Sequence, residues 1–258
     1  MKLSKVTKFL LNTYPLEWKE EWDPCGWSVK FNLSEPIKGI VLAIDLTKEV
    51  LDKAVKMDAN LILTHHPFKF EETWDIEDIK APYKRSFLEI LKEKRINVLS
   101  FHTNYDNDKN GTSHQIAKQL GLSSYEAPYE TNYPCILNYE TTFNNMVSLI
   151  REKLHFNAMR TNIKPTRYSE TISKIAILSG SGYIGEINKL ALEGFDLIIT
   201  SDPKWSDWIV YQEINAPVLE IPHLDEQVFV DDMYELLTKN FGQVPIEKVK
   251  IIEPYHNI

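Results

Sequence analysis

Leu61-Ile-Leu-Thr-His-His-Pro-Phe68 runs three aliphatic residues and a threonine straight into two adjacent histidines and a proline. The apolar run reads as a short strand buried on both faces, and its neighbours repeat the rhythm. Upstream, "IKGIVLAIDLT" (37–47) is a second such strand, and "KEVLDKAVKMDA" links the two with Val50, Leu51, Ala54 and Val55 at helical spacing. Downstream come a polar loop, a helix in "KRSFLEILKEK", a strand in "INVLSFHT" and a helix in "TSHQIAKQLGL" that Gly121 stops. A second tract follows the same course from Ser173: "SKIAILSGSG", "GEINKLALEG", "FDLIIT", "KWSDWIVYQEIN", "APVLEIPH" and "DEQVFVDDMYELLTKNF". Such alternation predicts an α/β fold of two related halves, with mostly parallel sheets flanked by helices. The halves are expected at 1–124 and 125–258, the second opening with an insert (125–170) that carries one helix in "TTFNNMVSLIREKLH".

The 258 residues suffice for a substantial core, and 43% apolar with 26% charged residues is an ordinary soluble composition. No apolar run approaches the roughly 20 residues that span a bilayer. The N-terminal stretch reads as an amphipathic helix with Val6, Phe9 and Leu10 on one face, and no signal peptide. A net charge of −8 argues against general nucleic-acid binding. Cys25 and Cys135 form no CxxC pair or disulfide framework, so a reducing, cytoplasmic setting with inert thiols is expected.

Ligands of open α/β sheets bind beyond the carboxyl ends of the strands. Four of the seven histidines fall there: His65, His66, His102 and His223, with Asp106, Asp202, Asp225 and Glu226 close by. Imidazole with carboxylate suits zinc, iron or manganese. Adjacent strand residues point to opposite faces, so His65 and His66 can share a site only if Pro67 enforces a turn, and they then reach two neighbouring ions. Glu226, three residues after His223, can converge with it on a helical turn and bridge two ions. Two ions about 3.5–4 Å apart can deprotonate a water near neutral pH.

Other features read more plainly. Asp45 and Asp202 are expected as helix N-caps. "SGSG" (179–182) is a tight turn in preference to an anion cradle, because it lacks GxGxxG and a P-loop lysine. Trp18, Trp22 and Trp27 suggest packing or a subunit interface, Asp23 and Gly26 a turn before a strand. His114, His155 and His256 are expected to be structural or exposed.

"EWDPCGWSV", "VLAIDLTKEVLDKA", "ANLILTHHPFKF", "FHTNYD", "ILSGSG", "FDLIITSD" and "PHLDEQV", in that order, resemble the GTP cyclohydrolase 1 type 2 homolog family, also described as Ngg-interacting factor three-like proteins, in its short form. The resemblance implies that His65, His66, Asp106, His223 and Glu226 ligate two divalent ions, with His102 lining the same cavity behind the ligands. It also implies assembly as a homo-oligomer, a toroidal hexamer. The family label points to hydrolytic opening of the GTP purine ring at C8. Three departures stand out: Pro222 in place of glycine, "TSD" in place of TGD with Ser206 at a family histidine, and a His223-to-Glu226 spacing of three.

The expected function is therefore that of a metal-dependent hydrolase of a small nucleotide-like or phosphorylated substrate. The alternative is a metal-binding scaffold or regulatory partner without turnover, for which the tryptophan-rich segment would be the contact surface; a metal-free structural protein ranks last.

Overall fold

The computed structural model describes residues 1–257, which form two compact units. One comprises Met1–Asp108 with Phe229–Ile252, the other Lys109–Val228 with 253–257. The division therefore lies at Asp108, ahead of the expected boundary at 124, and the C-terminal helix and strand return to the first unit. Among the described residues, no helix is long and apolar enough to cross a membrane.

The strands are β1 (Gly26–Val29), β2 (Ile40–Ala43), β3 (Leu61–Thr64), β4 (Asn97–Ser100), β5 (Glu126–Ala127), β6 (Cys135–Thr142), β7 (Arg160–Thr161), β8 (Thr171–Ile177), β9 (Leu197–Thr200), β10 (Val218–Glu220) and β11 (Ile246–Lys248). The helices are α1 (Leu3–Thr13), α2 (Lys48–Lys56), α3 (Trp74–Lys80), α4 (Lys84–Lys94), α5 (Thr103–Asp106), α6 (Thr112–Gln119), α7 (Phe143–Leu154), α8 (Ile184–Leu192), α9 (Trp205–Glu213) and α10 (Val228–Phe241).

The first unit's sheet runs β1-β4-β3-β2-β11, with β4, β3, β2 and β11 parallel and β1 antiparallel at one edge. Every residue of β2, β3 and β4 is buried, as continuous apolar runs require when helices cover both faces. Val41, Ile62 and Val98 pack with Val50, Leu51, Ala54, Leu88 and Leu91 of α2 and α4, and each such Val, Ile or Leu side chain contributes roughly 1.5–3 kcal/mol.

The second unit's sheet runs β5-β6-β8-β9-β10-β7. Its centre, β8-β9-β10, is parallel, whereas β5, β6 and β7 join antiparallel. The insert thus supplies strands as well as the expected helix α7. Only the first three residues of β6 are buried, so its sequence shows no sustained alternation. Helix α3 arises where a loop was expected. Ile76 and Ile79 face solvent on it, so its apolar pattern carries no inward stripe.

Both parallel cores send their strand ends into turns that carry the candidate residues. Thr47 caps α2 by accepting from the Val50 N–H, and Thr142 caps α7 through the Asn145 N–H.

Candidate functional site

In the first unit β3 ends at Thr64, and the next two residues keep contact with the end of β2. The His65 N–H donates to Ala43 O at 3.3 Å, the His66 N–H to Ile44 O at 2.9 Å, and the Thr64 hydroxyl to His66 O at 2.7 Å. This tight turn undoes strand alternation. The two rings come within 5.1 Å of each other, and both approach His102, at 5.2 and 5.5 Å. One nitrogen from each of His65, His66 and His102 lies within 4.8 Å of the others.

Each of these imidazoles is oriented through Nδ1. That of His65 lies 2.8 Å from Phe101 O, a group that only accepts, so Nδ1 carries the hydrogen. That of His66 lies 2.9 Å from Asp45 Oδ1, and that of His102 lies 3.0 Å from Asp23 Oδ1. The Nε2 atoms are thereby the ones turned toward potential ligands. His65 Nε2 is 3.6 Å from Asp106 Oδ1, and both residues are buried.

Asp23 was expected only to shape a turn. It is fully buried and accepts from the N–H and hydroxyl of Thr103, at 3.0 and 2.5 Å, and from the Cys25 N–H at 2.9 Å. Burial works against its charge, but the His102 and Thr103 donors hold its carboxyl well below the usual carboxylate range. It thereby fixes the start of α5, whose last residue is Asp106. Trp22, largely exposed, stands edge-on to His102 at 5.8 Å and 6.2 Å from Phe70. Burial and the Asp23 charge push the Cys25 thiol up to about 12, which leaves it inert as a nucleophile.

In the second unit, His223 and Glu226 sit on a 3₁₀ turn, His223–Gln227. Residues three apart eclipse in such a turn, and His223 Nε2 accordingly lies 3.0 Å from Glu226 Oε2. The three-residue spacing therefore belongs to a 3₁₀ turn. Pro222 precedes it at φ −57°, a value its ring already imposes. His223 Nδ1 lies 2.9 Å from Asp202 Oδ2. Burial works against the charged imidazole, yet Asp202 and Glu226 push its pKa up to about 11.

Asp45 and Asp202 are not the expected helix caps. Thr47 and Lys204 occupy those positions, and the two aspartates take the Nδ1 hydrogens of His66 and His223 instead. Asp202 does so from a left-handed backbone, φ +50°, which aspartate tolerates better than most residues. Ser206 spends its hydroxyl on Asp207 Oδ1 at 3.1 Å.

The SGSG segment is the tight turn expected. Its Gly180 has φ +59°, and a Cβ there would fall 2.1 Å from Glu226 Oε1. The Gly180 N–H faces the Asp225 carboxyl at 3.3 Å, and its carbonyl accepts from the Ser201 N–H at 2.8 Å. Burial, then the Glu226 charge, raises the Asp225 carboxyl well above its ordinary range, while His223 and the Gly180 N–H oppose.

The structure thus gathers His65, His66, His102 and Asp106 in the first unit, and His223 with Glu226 in the second. His155 instead ends α7 in a left-handed conformation, φ 62°, and His256 is exposed.

A family model described as Duf34/NIF3 (NGG1p interacting factor 3) matches residues 1–255. A Mycoplasmopsis pulmonis protein named GTP cyclohydrolase 1 type 2 homolog is 37% identical over 238 residues, covering 92% of this chain and 93% of its own. A Clostridium perfringens protein of the same name is 32% identical over 241 residues, covering 88% and 87%. Among solved structures, a hypothetical protein of Staphylococcus aureus superposes with a TM-score of 0.86 at 22% identity, over 100% of this chain and 99% of that one.

Proposed function

Because the chain belongs to the Duf34/NIF3 (NGG1p interacting factor 3) family, we propose that it is a dinuclear metal-dependent hydrolase. Its ligands are His65, His66, Asp106, His223 and Glu226, the ions are two of zinc, iron or manganese, and the substrate is a small nucleotide-like or phosphorylated molecule.

The observation that carries this reading is how the histidines are held. His65, His66 and His223 each engage an oxygen acceptor through Nδ1, which makes Nε2 the nitrogen turned toward an ion. That is the outer arrangement of metal-ligating histidines, in which a carbonyl or carboxylate fixes tautomer and ring orientation. Buried Asp106 and Glu226 add hard oxygen donors beside His65 Nε2 and His223 Nε2, respectively. Two divalent ions held by such a set would supply Lewis acidity and a more acidic water. His223 gives up its Nε2 proton when it ligates. Glu226 would hold an ion through its carboxylate, and His102, fixed by Asp23, would line the site without ligating.

Elemental analysis of chain purified without a metal-binding tag tests the reading, alongside His66→Ala and Glu226→Ala. At least two transition ions per chain, reduced in both variants, is the expected result. No bound metal after reconstitution with zinc, manganese and iron would end it. GTP is the first substrate to assay, since the Mycoplasmopsis pulmonis relative carries that name. Formate release by metal-loaded protein supports a cyclohydrolase; its absence removes GTP and leaves the metal centre standing. The same reading includes a cytoplasmic homo-oligomer, a toroidal hexamer, which a solution mass of six chains supports and a monomer excludes.

A further inference from the structure

A second donor cluster lies within the second unit, where α6, β5 and β6 bring His114, Glu126 and Cys135 together. One donor atom from each falls within 4.8 Å of the other two. His114 Nε2 is 2.9 Å from the carbonyl oxygen of Asn132, which only accepts, so Nε2 carries a hydrogen. A neutral ring then presents a bare lone pair at Nδ1, and this atom faces Glu126 Oε2 at 2.7 Å. Two acceptors so close require a cation, either a proton or a metal ion.

The third member decides between them. Cys135 is fully buried at the start of β6, and burial together with the Glu126 charge pushes its thiol up. With a proton between His114 and Glu126 the thiol only donates to a carboxylate that is already engaged, whereas a thiophilic cation engages all three donors directly. The carbonyl on Nε2 is also the partner that orients a metal-bound imidazole.

We infer that His114, Glu126 and Cys135 form a mononuclear site for a thiophilic divalent cation, zinc by its chemistry, with solvent in the fourth position. A neutral imidazole, a carboxylate and a thiolate balance the ion's two charges. As it enters, the Cys135 proton and the one between His114 and Glu126 leave to solvent. Bound there, the ion ties α6 to the β5–β6 edge of the sheet. The five proposed hydrolase ligands include no cysteine, so the two kinds of site are spectroscopically separable.

The test uses the full chain, stripped of metal and reloaded with cobalt(II). A near-ultraviolet thiolate-to-cobalt charge-transfer band reports a cysteine ligand and is expected in the parent and in Cys25→Ser. It should vanish in Cys135→Ser and be displaced by added zinc. Glu126→Gln changes a partly exposed residue and leaves the fold in place, so it serves if the cysteine variant misfolds. Cobalt should then bind about tenfold or more weakly. No band in the parent, a band that persists in Cys135→Ser, or unchanged affinity in Glu126→Gln would overturn the site and leave an imidazolium–carboxylate pair.

Discussion

The two units hold their histidines by the same device and anchor the surrounding turns by different ones. In the first, the rings of His65, His66 and His102 hang from a carbonyl and two carboxylates, and the α5 turn is anchored by Asp23, about 80 residues away in sequence. In the second, His223 hangs from Asp202, but Glu226 lies against the bare backbone of Gly180, which no side chain could replace. The first arrangement tolerates small changes in the anchor at an energetic cost. The second depends on an absent Cβ and should fail abruptly.

Gly180→Ala is therefore the harshest test. Its Cβ would overlap the Glu226 carboxylate, and its left-handed φ adds about 1–2 kcal/mol of strain. Gly121→Ala is the control, since it has φ +77° but nothing within 4 Å of the added atom. The expected outcome is reduced divalent-ion uptake in Gly180→Ala. Gly121→Ala should lose only that strain of about 1–2 kcal/mol in denaturant titration, with uptake intact. Equal effects would show that backbone strain, and no carboxylate contact, governs the second unit.

Asp23→Asn breaks the other side of the comparison. The variant loses a charged acceptor shared by Thr103, Cys25 and His102, and turns an amide toward donors. Hydrogen bonds to charged groups contribute roughly 1.5–3 kcal/mol, so a loss of about 3 kcal/mol is expected. In a chain of this size that lowers Tm by roughly 6–12 °C in calorimetry. An unchanged Tm would mean that the α5 turn stands without its anchor.

What the sequence disclosed divides along the same line. His65-His66-Pro67 announces its turn directly, because imidazoles and a proline interrupt an apolar strand. Apart from α3 and the four-residue α5, the elements of the first tract followed from periodicity. The partners of the histidines were hidden, since an aspartate after a strand looks the same whether it caps a helix or holds an imidazole. Asp45 could have been separated from the cap by Thr47, two residues on and the better start for α2. The tie between Gly180 and Glu226 spans 46 positions and leaves no local pattern. Likewise β5, β7 and β11, two or three residues each, are too short to show a period.

Asp45→Asn and Asp202→Asn sharpen the shared device. Each keeps the size of the residue and weakens the acceptor on Nδ1, a change that typically costs 10–100-fold in metal affinity. Comparable losses in competitive zinc titrations are expected from the two, with little change in Tm because both carboxylates are about half exposed. A loss in one variant alone would show that only that unit's histidine is a ligand.

The smallest effect concerns the loop that follows the two histidines. Glu77 is buried, accepts from the Phe70 and Glu71 N–H groups at 2.9 and 2.7 Å, and pairs with Lys84 at 2.5 Å. Burial raises its pKa, but these donors outweigh it and hold the carboxyl below its ordinary 4.5. A depressed folded value stabilises the protein above the unfolded pKa, and that stability is lost as pH falls through the folded one. Glu77→Gln should cost about 1.5 kcal/mol at pH 7. The gap between parent and variant should close as acid titration proceeds below pH 4.5. In the second unit the Ser201 N–H after β9 is bound by a backbone carbonyl, which does not titrate. Acid should therefore loosen the loop after β3 before the turn after β9, as hydrogen exchange would register, and simultaneous loosening would remove Glu77 as the reason.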